Sequence, residues 1–155
     1  MKSSILGGIF CLLSSLCCAA ETASGLNIYT VEDNFAEVQQ AVIEGIEGQG
    51  LVVKQVSDIG AMLRRTGKDL GETQVLYTHA VNVEFCSAVY SRKMMAADPV
   101  NLVHCPFVIA LFERPEHAGT VYVVYQVPTP RPGKTAKWVA EIGALLAAIV
   151  EDVVD

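Results

Sequence analysis

The sequence predicts an α+β domain in the order β-α-β-α-β-α-β-β-α, with helices packed mainly on one face of a mixed or antiparallel sheet. Three observations carry that expectation. Residues 74–85 alternate apolar and polar side chains more cleanly than any other stretch. Two apolar runs, 102–113 and 120–127, flank a short loop containing Pro115 and Gly119, as the arms of a hairpin do. Between the strand candidates, apolar residues recur at helical spacing.

The elements follow in chain order. Asn27 to Val31 is a short β-branched and aromatic run. Asp33 or Asn34 then caps a helix in which Phe35, Val38, Val42 and Ile46 share one face. Gly48 and Gly50 end it, and Gly45 weakens it slightly. Leu51 to Val56 is a second strand. Ser57-Asp58 opens a helix carrying Ile59, Met62, Leu63 and Leu70 along one side, with Gly71 where a left-handed C-terminal cap belongs. Its Arg64, Arg65 and Lys68 form a solvated face. In Gln74–Phe85, the residues Val75, Tyr77, His79, Val81, Val83 and Phe85 share one side of a half-buried strand.

A helix from Ser87 to Ala97 aligns Tyr90 and Met94 before Asp98-Pro99 stops it. The hairpin of Leu102–Glu113 and Thr120–Val127 is apolar on both faces, because Phe107, Ile109 and Leu111 oppose Val108, Ala110 and Phe112. If helices cover one side, a second chain is expected to cover the other, which predicts a homodimer. Pro128, Pro130 and Pro132 stiffen a connector to a last helix from about Thr135, its stripe being Trp138, Ile142, Leu145, Ile149 and Val153.

Lys2, the apolar run Ile5–Leu16 and the small residues Cys18-Ala19-Ala20 form the three parts of a secretory signal peptide, cut after Ala20. The expectation is a signal at 1–20, a single domain at 21–155, and a periplasmic or secreted location. The run is too short to span a bilayer, and no later stretch approaches the ~20 apolar residues that a span needs. Cys17 and Cys18 raise a lipidation alternative, which the bulky Leu16 before Cys17 fits poorly. The chain carries 17 acidic against 11 scattered basic residues, a net charge of −6, which argues against nucleic acid and anionic membranes as partners. Protein partners and small ligands stay open.

Removing the leader removes Cys11, Cys17 and Cys18, leaving Cys86 and Cys105 as an even pair in an oxidising compartment. Cys86 sits where a strand gives way to a helix, a position whose unpaired N–H groups and dipole favour a thiolate, so it is expected to be the more reactive sulfur. Cys105 opens the neighbouring strand, so the two sulfurs should meet. On a regular strand His104 and Cys105 point to opposite faces and form no chelate by themselves.

Several readings of the pair stand side by side. One is a structural disulfide, worth roughly 3 kcal/mol in a chain-entropy account. Others are a redox-active or sulfur-carrying dithiol, a thiolate site for copper or haem, and two inert thiols. For metal the weak candidates are Cys86, Cys105, His104 and Met94, with His79, His117 and Met95 further off. No CxxC, HExxH or CxxCH spacing supports zinc or covalent haem, while thiolate with Met or His suits Cu(I). No Gly-x-Ser-x-Gly elbow or phosphate-binding glycine loop is present. His79 reads as a hydrogen-bonded core residue, His117 as polar loop, and Glu84 and Asp98 as solvated positions.

The span from Phe85 to Pro99 (FCSAVYSRKMMAADP), followed by His104 to Glu113 (HCPFVIALFE), resembles the family called domain of unknown function 302. That family shows a cysteine at the head of a helix ending in Asp-Pro or Asn-Pro, then a strand opening near a Pro-Cys pair. The upstream QGLVVKQVSDIGAMLRRTGKDLG is similar to its strand and following helix. The resemblance covers most of Asn27 to Val127. It implies a small α+β fold, dimeric and without an established reaction, with Cys86 and Cys105 as the positions of interest. The leading functional expectation is an exported small-ligand-binding or thiol/redox accessory domain centred on those two residues. The runner-up is a cysteine-dependent redox or sulfur-transfer enzyme, and a third reading is a structural interaction module with a purely structural disulfide.

Overall fold

The computed structural model describes residues 25–132 and 137–154. The expected leader, its cleavage site and Cys17 and Cys18 lie outside the described residues. Five strands are described: β1 (Leu26–Glu32), β2 (Val52–Asp58), β3 (His79–Cys86), β4 (Phe107–Glu113) and β5 (Thr120–Gln126). Among the described residues the α-helices are α1 (Phe35–Gly48), α2 (Ile59–Leu70), α3 (Ala88–Ala97) and α4 (Lys137–Val154). A 3₁₀ helix, Pro99–His104, separates α3 from β4, and another, Pro115–His117, lies in the β4–β5 connection.

The strands form one sheet in the order β1-β5-β4-β3-β2, every neighbouring pair antiparallel. This is the antiparallel form of the expected α+β class. β1 and β2 are therefore the two edges, and α1 carries the chain from one to the other. Helix starts follow local chemistry: Asn34 accepts from the Ala36 N–H, Asp58 from Ala61 and Ser87 from Tyr90, each satisfying an N–H that the first turn leaves unpaired. Gly71 closes α2 at φ 75°, in the left-handed region where the absence of a Cβ matters.

The core lies between one face of the sheet and the helices. Val81, Val83, Phe85, Phe107, Ile109, Leu111, Val121, Val123 and Tyr125 supply the sheet side. Val38, Val42 and Ile46 of α1, Met94 of α3, and Trp138, Ile142, Leu146, Ile149 and Val150 of α4 close it. α1 and α4 pack directly, and a Cβ added at Gly45 would stand 2.5 Å from the Ile149 carbonyl oxygen. Gly45 is thus the point of closest helix approach rather than a simple weakness in α1. On the opposite face Phe112 stacks on Tyr122 with ring centroids 4.7 Å apart, Tyr77 meets Phe112 edge-on at 5.4 Å, and Ile28 and Val108 are exposed.

Three expectations are corrected. β3 begins at His79, not Gln74, because β4 ends at Glu113, opposite His79, and leaves residues 74–77 no strand to pair with. Leu102–His104 is 3₁₀ helix rather than strand: Asp98 accepts from the Val100 N–H, and Pro99 occupies the first turn, where its missing N–H costs nothing. The buried stripe of α4 runs through Leu146 and Val150, while Leu145 and Val153 are only half-buried, because α4 faces both the sheet and α1.

Candidate functional site: a paired thiol at the end of β3

Cys86 is the last residue of β3. Strand alternation that turns Val81, Val83 and Phe85 into the core turns Asn82, Glu84 and Cys86 the other way, and all three are half-buried. Its pairing partner at the sheet edge is Val52. Ser87 then starts α3, Asp98 ends it, and the 3₁₀ helix returns the chain so that the Cys105 N–H donates to the Leu102 carbonyl at 3.1 Å. Asn101, buried, donates through Nδ2 to the Met94 carbonyl at 2.8 Å and ties this return to α3. β4 begins with Phe107 opposite Phe85, which leaves Cys105 diagonal to Cys86 across the end of the β3–β4 pair.

The sulfur atoms of Cys86 and Cys105 lie 3.3 Å apart, as two unbonded, half-buried thiols. The separation exceeds the ~2.05 Å of a disulfide bond but needs only a small side-chain movement to reach it. The Ser91 hydroxyl, one turn further along α3 than Ser87, lies 3.6 Å from the Cys105 sulfur. Lys54 sits where the β2–β3 register slips between Val53 and Gln55, the extra residue of a bulge. Glu84 accepts from Ser57 Oγ at 2.9 Å.

Burial pushes the Cys86 thiol up from its ordinary value. The hydrogen bond with Cys105, the charge of Cys105 and that of Glu84 add to the rise, and Lys54 opposes it. The expected thiolate stabilisation at the helix end is therefore corrected. Cys86 precedes the cap, and Ser87 Oγ takes the first-turn N–H of Tyr90 at 3.4 Å. The helix end is satisfied by a hydroxyl rather than by the sulfur.

Of the weak metal set, the fold joins Cys86 and Cys105 and adds neither His104 nor Met94. His104 ends the 3₁₀ helix, Met94 is fully buried in the core, and no group of three or more His, Cys, Asp or Glu suited to a metal ion is found among the described residues. His79 is exposed and stacks on Phe35 at 4.9 Å, which corrects its expected core position. His117 sits in the loop, its Nδ1 2.7 Å from the Tyr122 hydroxyl. Asp98, expected in solvent, is buried and paired with Arg131 at 2.6 Å. A cleft between α2 and residues 71–77 lies at the opposite end of β3 from the thiols.

Sequence reasoning missed Ser91 and Lys54. Ser91 shares a helix side with Ser87 at a spacing of four, which was readable; Lys54 depends on a bulge that has no local signature. Among the described residues no helix is long and apolar enough to cross a membrane.

A family model described as "Domain of unknown function DUF302" matches residues 28–153, extending past Val127 through α4. A crystal structure of an uncharacterized conserved protein DUF302 from Bacillus stearothermophilus superimposes with a TM-score of 0.68 at 16% identity, covering 86% of this chain and 100% of that one. At that identity the likeness speaks for the fold. No curated protein matches the sequence.

Proposed function

Because the chain belongs to the DUF302 family, whose description assigns no reaction, we propose a function from its own thiol pair: an exported thiol–disulfide accessory domain in which Cys86 and Cys105 close and reopen. The observation that carries this reading is the 3.3 Å sulfur separation between two half-buried thiols. Sulfurs that near and that accessible form an intramolecular disulfide without rearranging the sheet. In the reducing direction one thiolate breaks the S–S bond of an external disulfide and forms a mixed disulfide. The second thiol then closes the internal bond and releases the substrate as two thiols. Two electrons pass to the substrate, and the two thiol protons leave on the released sulfurs.

The test is equilibration of the purified protein in glutathione redox buffers, with intact mass and thiol labelling as readouts. The expected result is a reversible loss of two hydrogens, with a potential within the range of exchangeable protein dithiols. A potential below about −300 mV would assign the pair to a structural staple instead. Failure to oxidise at all would leave two inert thiols.

A second feature supports self-association. The sheet face without core packing carries the Tyr77–Phe112–Tyr122 aromatic cluster and exposed Ile28. We propose a homodimer through this face; sedimentation that stays monomeric at high micromolar concentration would exclude it.

A further inference from the structure

Several exposed apolar side chains lie close along the chain, or across one strand pairing, to the thiol pair. Val89 stands three residues after Cys86 in the first turn of α3 and is 62% exposed. Leu102, whose carbonyl accepts the Cys105 N–H, is 62% exposed, and Val103 is 80% exposed. Val52, the strand partner of Cys86, is 66% exposed, and Val108, three residues beyond Cys105, is 37% exposed. Each lies within three residues or one strand pairing of a sulfur, and none contributes to the core.

Two charges of opposite sign act on Cys86, Lys54 and Glu84. The rim itself is built of uncharged valine and leucine side chains. It offers apolar area, which is favourable only to a partner that brings apolar area of its own. The sulfurs at its centre require that partner to carry sulfur.

We infer that the substrate of the Cys86–Cys105 pair is a polypeptide whose cysteine or disulfide is flanked by apolar side chains, seated on the collar of Val52, Val89, Leu102, Val103 and Val108. This rests on the thiol–disulfide reading above and adds to it the class of substrate. The collar holds the partner's sulfur beside the pair, so binding and exchange are coupled. The atom and electron balance is that already given, with the partner's S–S bond broken and the internal one formed.

The experiment compares three oxidised probes reduced by the reduced protein, followed by mass spectrometry. They are a disulfide-linked short peptide with Leu and Val beside its cysteine, the same peptide with Ser and Thr there, and oxidised glutathione. The apolar peptide is expected to react about tenfold faster than its polar counterpart, the ratio that ~1.4 kcal/mol supplies. A Leu102→Gln/Val103→Gln double variant brings the ratio of the two peptide rates down to about one. Both positions are exposed, so the fold should tolerate the change. Equal rates for the two peptides, or an advantage that survives the double variant, would overturn the inference while the dithiol reading stands. Reaction with none of the three would remove both. Disulfide-linked dimers of the chain as the main product would assign the collar to a second copy and overturn it likewise.

Discussion

The Ser91 hydroxyl lies within hydrogen-bonding reach of the Cys105 sulfur, 3.6 Å away, whereas burial, and then the hydrogen bond with Cys105, pushes Cys86 toward its protonated form. The two cysteines therefore sit in different settings, and the prediction is the reverse of the order expected from the helix end. Cys105 should alkylate first near neutral pH, with Cys86 following as the resolving sulfur. Peptide-resolved iodoacetamide labelling of the reduced protein checks this. In Cys86→Ser the Cys105 site should remain reactive and trap mixed disulfides. In Ser91→Ala, labelling of Cys105 should slow several-fold with the thermal midpoint little changed. Faster labelling of Cys86 in the unmodified protein would reverse the assignment.

The same shift gives the reduced protein a pH dependence of stability. Burial first, and then the Cys105 hydrogen bond, raises the Cys86 thiol above its ordinary 9.0. The folded state thus retains a proton that the unfolded chain releases, and stability falls as pH climbs through that interval. Below pH 9 the contribution is fully present; above the folded-state value it is gone. Tyr125, raised by burial and by the Tyr29 hydroxyl, acts with the same sign from 10.0 upward. Urea unfolding under reductant between about pH 8 and pH 11 should show a decline starting near pH 9. Cys86→Ala should delay the decline to the tyrosine range. A decline unchanged in that variant would detach it from the thiol.

Much of this was legible before any coordinates. Asn34, Asp58, Ser87 and Gly71 announced helix ends because caps are local chemistry, and the antiparallel hairpin followed from two apolar runs around a short loop. The meeting of Cys86 and Cys105 was legible because a helix between adjacent strands returns the chain to where it began. What escaped depends on partners elsewhere in the fold. Val75 and Tyr77 continue the alternation of β3, yet nothing lies beside them to complete a ladder. Leu102 and Val103 look like strand core, yet a capped 3₁₀ turn exposes them. Lys54 reaches the thiol environment through a bulge visible only once β2 and β3 are paired.

The close approach of α1 and α4 makes Gly45 a sharp test of packing. Alanine gains about 1 kcal/mol of helix propensity over glycine, so an isolated α1 would be strengthened by Gly45→Ala. Here the added carbon meets the Ile149 carbonyl oxygen at 2.5 Å, a backbone atom that cannot rotate aside. Separating the helices disturbs Ile46 and Ile149, both fully buried. The steric cost should outweigh the propensity gain, giving a net loss of about 1–3 kcal/mol in urea unfolding. A stabilised variant would show that the helices part freely.

Asp98 joins three parts of the site's scaffold. Its backbone N–H ends α3 on the Met94 carbonyl, its carboxylate caps the 3₁₀ helix at the Val100 N–H, and it takes Nε and a terminal nitrogen of Arg131 at 2.8 and 2.6 Å. The carboxylate is 5% exposed while Arg131 is 58% exposed, so most of the desolvation falls on the acid. Removing the arginine takes two charge-assisted hydrogen bonds away from a buried carboxylate, a larger loss than that of an exposed surface pair. Arg131→Ala should therefore destabilise by about 1–3 kcal/mol, less than loss of a fully buried pair because Arg131 itself is half in water. The damage should also spread to the thiols, since the 3₁₀ helix that Asp98 caps carries the chain into Cys105. Hydrogen exchange of residues 99–105 together with the redox titration checks both effects. Accelerated exchange with an unaltered Cys86–Cys105 potential would show that the scaffold holds the chain without setting the sulfur geometry.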